Sequence, residues 1–383
     1  MNLPAALMHD PGLRAVLAAL APVRALVVGG AVRNALLGEP VEDIDLATDA
    51  RPERVIALAE AAGLKAVPTG IAHGTVTLVA GGRGFEVTTF RRDVETDGRR
   101  AVVAFSDRLE EDAARRDFTI NALYAGADGA VIDPVGGLPD LAARRLRFVG
   151  DADRRIAEDY LRILRFFRFH ARYGRAGGAD PAALAACARG AAGLARISRE
   201  RIGAELRKLL DAPDPREAVR LMDETGVLAV ILPGADPARL TRLVAAEPDF
   251  PPPSPRWPVR LAALGGAEAA ERLRLSRLES RAQEELRFAG SLGEAAWRFG
   301  QSRAGELALL RAAEGAVLAG WRDRIAAAEG QRLPVTAADL AGRLTGAALG
   351  RGLKAAEAAW IASDFALPAP ALIDIALLAG EAP

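Results

Sequence analysis

Along the first part of the chain, apolar residues alternate between short β-branched runs and stretches with a period of three to four, a pattern that predicts a small mixed α/β unit. Residues 1–20 read as a helix leading into Ala25-Leu26-Val27-Val28, whose length and branching suit a buried strand closed by Gly29-Gly30. A helix from Ala31 to Leu37 follows, then a strand at Ile44-Asp45-Leu46 and a helix from Pro52 to Ala62. Strands from Thr75 to Val79 and from Phe85 to Phe90 flank Gly81-Gly82, and the polar, weakly patterned segment from Arg91 to Arg108 reads as a surface loop. From about Ala152 the strand signals vanish. Ala, Leu, Arg and Glu at helical spacing then predict an all-helical arm nearly to the C-terminus. Within it, Asp249-Phe250-Pro251-Pro252-Pro253-Ser254-Pro255 reads as a linker, because consecutive prolines cannot continue a helix.

Composition narrows the class. The chain has 383 residues, half of them hydrophobic, enough for two or more domains with cores of their own. Lysine plus arginine equals aspartate plus glutamate at fifty each, so a polyanionic partner has to be held by a local basic surface. Cys187 is the single cysteine, which excludes an internal disulfide and a cysteine-based zinc site and fits a reducing cytoplasm. The N-terminus lacks the basic start of a signal peptide, and no apolar run reaches membrane-spanning length. His9, His73 and His170 show no metal-ligand spacing, which argues against histidine-based catalysis; His73 reads as a turn or core-edge residue.

Chemistry concentrates in two places. Asp43 and Asp45 sit two residues apart on a predicted strand, so both project from one face, and adjacent like charges call for a cation. Magnesium takes oxygen ligands and shares them with substrate phosphates, so the pair suits positioning a nucleoside triphosphate. Upstream, Gly29 and Gly30 let backbone approach phosphate closely, while the following helix N-terminus and Arg33 supply positive potential. Glu86 alternates on a neighbouring strand, either as a third carboxylate or as an exposed strand residue. The second place is Glu158 to Phe169, where Asp159, Arg162, Arg165 and Arg168 recur every three residues as one polar stripe. A solvated basic helix with Asp159 paired to Arg162 would explain the stripe structurally. An Asp–Arg pair can also read a base, since the carboxylate accepts from an exocyclic amine and the guanidinium donates to ring nitrogen or carbonyl oxygen. Cytosine and adenine carry that amine; uracil and guanine present the wrong order of donors and acceptors.

Taken together, Gly29-Gly30-Ala31-Val32-Arg33-Asn34 and Glu42-Asp43-Ile44-Asp45-Leu46 resemble the first motif of the class II tRNA nucleotidyltransferase and bacterial poly(A) polymerase family. Arg115-Arg116-Asp117-Phe118-Thr119-Ile120-Asn121 resembles the second, which implies that Arg116, Asp117 and Asn121 bind the incoming nucleotide. Ile132-Asp133-Pro134-Val135-Gly136-Gly137 resembles the turn before the family's hinge, and Arg91 to Arg108 resembles its mobile loop. The arginine stripe resembles the nucleotide-selecting motif, which implies that Asp159 and Arg162 pair with the base while Arg165 and Arg168 support that pair and bind phosphate. Arg196 to Leu206 resembles a bracing segment, with Ser198 as its helix cap. One departure stands out: Asn34 replaces the family's usual aspartate.

The resemblance is detailed over roughly residues 24–210. It implies an α+β fold with a polymerase β-like nucleotidyltransferase head (1–146), a helical neck that reads the base (147–215), and an elongated helical body and tail that bind tRNA (216–383). The implied activity is template-independent addition of C, C and A to the tRNA 3′ end from CTP and ATP with Mg2+. Poly(A) polymerase and partial CC- or A-adding enzymes share these motifs. The class outside catalysis is an RNA-binding protein that keeps the head as a scaffold. A dinucleotide-binding oxidoreductase is disfavoured because the glycine spacing is wrong. Three histidines leave no place for the HD phosphohydrolase domain of some relatives.

Overall fold

The computed structural model describes residues 1–97 and 100–381. The chain divides into two compact units, Met1–Ile231 and Leu232–Pro383. In the first, a seven-stranded mixed sheet is built from β1 (Ala25–Val28), β2 (Asp45–Thr48), β3 (Lys65–Gly70), β4 (Thr75–Ala80), β5 (Arg83–Thr89), β8 (Tyr124–Ala125) and β9 (Val131–Ile132), in the order β3-β4-β5-β2-β1-β8-β9. β1 lies antiparallel to β2, with Val28 opposite Asp45, and β2 runs parallel to β5, with Leu46 opposite Val87. The burial alternation of β4 and β5 is that of a sheet with one covered face.

The helices of this unit are α1 (Ala5–Met8), α2 (Pro11–Ala19), α3 (Gly30–Leu37), α4 (Pro52–Ala61), α5 (Leu109–Ala114), α6 (Gly137–Ala142), α7 (Ala152–Glu158), α8 (Leu161–Tyr173), α9 (Pro181–Gly190), α10 (Arg199–Leu210), α11 (Arg216–Glu224) and α12 (Val227–Ile231). Three local expectations change. The first helix is two, because Asp10 caps α2 by accepting from the Leu13 amide and Pro11 takes its first position. The segment from Arg91 to Arg108 is largely an antiparallel hairpin, β6 (Arg91–Asp97) with β7 (Arg100–Phe105), followed by the start of α5 at Leu109; residues 98 and 99 lie outside the described residues. The helix read from Glu158 onward breaks at Asp159, whose extended backbone (φ −155°, ψ 105°) separates α7 from α8.

Sheet and helices share a core. Leu26, Val28, Ala47, Phe90, Leu109, Ala113, Ala122, Tyr124 and Val149 form one buried cluster. Phe118 packs against Phe148 (5.0 Å between ring centroids) and Phe169 (5.4 Å), which fastens the turn after Asp117 to α8. The second unit is all-helical among the described residues, with clusters around Leu243, Leu307 and Ile325 and around Leu340, Trp360 and Leu372. The proline-rich stretch is a loop inside this unit, held where Phe250 stacks on Trp321 at 5.1 Å.

Candidate active site

Site geometry begins where β1 ends. Gly29 has φ +69° and ψ −120°, a conformation L side chains avoid, and it caps α3. A Cβ there would also stand 3.3 Å from Arg116 Nη1, a tight contact that would press on the guanidinium. Gly30 has no such requirement: a Cβ would meet only Arg33 Nη2, at ordinary distance, 3.7 Å. The first-turn amides of α3 face outward without intrahelical acceptors and favour an anion.

Across the sheet, Asp43 and Asp45 are exposed while Ile44 between them is buried, so the two carboxylates share a face. The parallel register of β2 on β5 sets Glu86 beside Asp45. Although Asp45 keeps an exposed surface, the protein packed around it withdraws enough water from the carboxyl to raise it above the usual carboxylate range; the charges of Glu86 and Asp43 raise it further, and Arg116 opposes them. Among the described residues no set of three or more metal-type side chains is gathered closely enough to cage an ion by itself. Two carboxylates that repel one another are nonetheless the donor set a hard divalent ion uses when substrate phosphates supply the remaining oxygens.

Arg116 stands between these carboxylates and the glycine turn. Its Nε donates to Tyr124 Oη (2.9 Å) and its Nη2 to Asp112 Oδ2 (3.0 Å), while Tyr124 donates to the same Asp112 oxygen (2.7 Å). Asp112 is 1% exposed and also holds Arg115. Its burial disfavours charge, but Arg116 and Arg115 outweigh that and hold it below the usual range.

A second network ties the head to α8. Asp117 accepts from Asn121 Nδ2 (3.0 Å), from the Phe118 amide (2.8 Å) and from Arg165 Nε (2.8 Å). Burial again opposes ionisation, and Arg165 with these hydrogen bonds reverses the balance, so Asp117 sits low. Asn121 Oδ1 accepts from Arg33 Nη1. Arg33 is buried, lies 4.1 Å from the Tyr173 ring centroid, and donates to Tyr173 Oη (2.9 Å) and to Asn34 Oδ1. Burial lowers its pKa, partly offset by Tyr173 and Asp117. Asn34 therefore spends its carbonyl on Arg33 and its amide on the Pro40 carbonyl (3.0 Å).

On α8 the arginines do not pair as a simple stripe. Asp159 lies before the helix and accepts from Arg201 Nη2 (2.6 Å) and the Leu161 amide (3.1 Å), whereas Arg162 donates to Glu158 Oε2 (2.6 Å) and to the Arg155 carbonyl. The side-chain pair of Asp159 with Arg162 is replaced by these partners because the chain turns at 159. Arg168 donates to Glu205 Oε2 (2.6 Å) and rests on the Phe169 ring. Arg201 and Glu205 both belong to α10, so the bracing segment does brace, while Ser198 caps it by position without a side-chain cap bond.

Thus the sequence-derived residues fall into two groups: Gly29, Gly30, Asp43, Asp45, Glu86 and Arg116 around the sheet end, and Arg33, Asp117, Asn121, Arg165 and Arg168 in the network to α8. Asp159 and Arg162 are held apart at the junction of α7 and α8. Residues not anticipated are Asp112, Tyr124, Tyr173, Glu158 and Arg201. Asp112 was visible as the i,i+3 and i,i+4 partner of Arg115 and Arg116; Tyr173, 140 positions from Arg33, had no local signal.

Comparison with known proteins agrees with this layout. Residues 25–147 match the Poly A polymerase head domain, and residues 180–239 match the probable RNA and SrmB-binding site of polymerase A. The CCA-adding enzyme of Geobacillus thermodenitrificans is 39% identical over 266 residues, 68% of this chain and 64% of that protein. The chain thus spans just under two thirds of that relative's length. The mouse mitochondrial CCA tRNA nucleotidyltransferase 1 is 45% identical over 203 residues, 52% of this chain and 47% of that protein. The crystal structure of the Bacillus stearothermophilus CCA-adding enzyme in complex with CTP superposes with a TM-score of 0.75 at 32% identity, covering 92% of this chain and 93% of that one. On an end-to-end match of that identity, together with the head-domain match, the chain belongs to the class II tRNA nucleotidyltransferase family.

Proposed function

We propose that this chain adds C, C and A to the 3′ end of tRNA, using CTP and ATP. The observation that carries the reading is the carboxylate face of Asp43, Asp45 and Glu86 beside a glycine turn and Arg116, because it combines a divalent-ion donor set with an anion cradle. The family uses a divalent metal, and magnesium suits hard carboxylate oxygens shared with phosphate. Asp43 and Asp45 would hold it, and when bound it supplies charge that lowers the barrier to attack of a 3′-hydroxyl on an α-phosphate. Arg116, fixed by Asp112 and Tyr124, neutralises charge building on the phosphates, and the turn at Gly29 brings backbone amides against them. Glu86 keeps the negative field at Asp45 high. No side-chain nucleophile is required, since positioning and charge stabilisation suffice.

Base choice belongs to Asp159 and Arg162, with Arg165 and Arg168 held by Asp117 and Glu205 as support. In this reading residues 1–146 form the catalytic head, 147–215 the base-reading neck and 216–383 the tRNA-binding body and tail. The test is incubation of the purified protein with tRNAs lacking A, CA or CCA and one labelled nucleotide at a time. Addition of C to the two shorter substrates and of a single A to the longest is expected; steady growth of long A tails would overturn the reading.

A further inference from the structure

A cavity of about 420 Å³ opens beside the C-terminal end of α5 and the start of α7. Arg92, Arg115, Arg154 and Arg155 line it, against Glu111 and Asp151 as the only acids among its lining residues. Both acids are already engaged: Asp151 caps α7 by accepting from the Arg154 amide (2.8 Å), and Glu111 accepts from Ser106 Oγ (2.7 Å). Two arginines are anchored. Arg115 is fixed by Asp112 (2.7 Å), and Arg155 by Glu158 (2.6 Å). The other two stand at the rim, Arg92 exposed at the start of β6 and Arg154 with its side chain 77% exposed and a longer contact to Glu158 (3.5 Å).

The cavity adjoins the nucleotide-selecting residues without being part of them. Arg115 and Arg116 are consecutive, and one faces the cavity while the other faces Gly29. Arg162 donates to the Arg155 carbonyl (2.8 Å), so a wall of the cavity supports the base-reading arginine. We propose that this cavity binds the phosphate backbone of the RNA primer near its 3′ end; the proposal rests on the nucleotidyl-transfer reading above. Anchored guanidinium groups within and exposed ones at the rim, supplied by three separate elements, suit an extended polyanion, and the volume accepts a nucleotide-sized segment. Phosphate oxygens are also carried by the incoming triphosphate, but the glycine turn and Arg116, which do not line this cavity, provide for that.

The test uses the full chain with Arg92→Ala and Arg154→Ala combined. Anisotropy of a labelled acceptor-stem RNA ending in CC is read across salt concentrations, and initial rates are measured with primer and nucleotide varied in turn. RNA binding should weaken roughly tenfold or more and the salt slope should fall by about one to two. The KM for primer should rise while that for nucleotide stays within twofold. Glu111→Gln, which removes an acid from the rim, should tighten RNA binding. Unchanged RNA affinity and slope would overturn the proposal, as would a rise confined to the nucleotide KM, which would assign the cavity to triphosphate. The binding arm needs no turnover, so a wild-type protein that binds RNA but incorporates nothing would sink the enzyme assignment and leave this comparison standing.

Discussion

Asp45 and Asp117 are aspartates of one compact unit, and burial acts on both by penalising their charge, yet the outcomes are opposite. At Asp45 the charges of Glu86 and Asp43 add to that penalty and Arg116 does not offset it, so its carboxyl is raised; at Asp117 the Arg165 charge and the hydrogen bonds from Arg165, Asn121 and the Phe118 amide outweigh it, so it is lowered. The first arrangement leaves like charges facing one another, as the proposed metal site requires. The second is complete without a ligand and fixes α8 against the head. The opposite shifts follow from what surrounds each carboxylate, like charges at Asp45 and cationic and amide donors at Asp117.

The comparison breaks hardest at Asp117. Asp117→Ala strands Arg165 and Asn121 in a buried setting and should cost about 3–5 kcal/mol of stability, read by urea unfolding. If the loss is under 1 kcal/mol, the network is not a framework. Asp45→Ala should do the reverse, removing roughly 2.7–4 kcal/mol of transition-state stabilisation from labelled-CTP incorporation while the melting temperature stays level or rises. A melting temperature that falls sharply would place Asp45 with the framework. Arg201→Ala releases Asp159 from its partner on α10, and discrimination of CTP against UTP should change by about 1–3 kcal/mol, measured as the ratio of kcat/KM values.

The pH dependence separates the two carboxylates by sign. Asp117 titrates below its unfolded value, so its stabilisation is present above the unfolded pKa and is lost as pH falls through the folded one. Asp45 titrates above its unfolded value, so its charge costs stability once pH rises from the unfolded pKa through the folded one. Comparing metal-free wild type with Asp45→Asn by thermal melting should show the variant gaining at neutral pH and losing that advantage in acid. Added magnesium should remove the gain from the neutral end.

Much of the sheet was legible because its central strands are short, apolar and bounded by glycine; Ala25–Val28 appears as read. β3 escaped because Pro68 interrupts its sequence, which an edge strand tolerates, and β3 is the edge of the sheet. The hairpin was hidden because its first strand, β6, is almost wholly charged and polar, so the apolar β7 lacked a recognisable partner, and β8 and β9 by having two residues each. In the site, residue types at fixed spacing gave the carboxylates and the arginines. What spacing could not give was partner choice: Asp159 turns to Arg201, 42 positions away, because the break before α8 carries it out of register with Arg162.

Asn121 has a wider consequence. A primary amide has one accepting end and one donating end, and here the first meets the buried Arg33 guanidinium of α3 while the second meets Asp117, an anion bonded to α8. Neither an acid nor an amine could serve both neighbours. One amide thus joins Arg33 of α3 to the Asp117–Arg165 pair, so a change that turns it round would leave two like ends facing each other at both contacts.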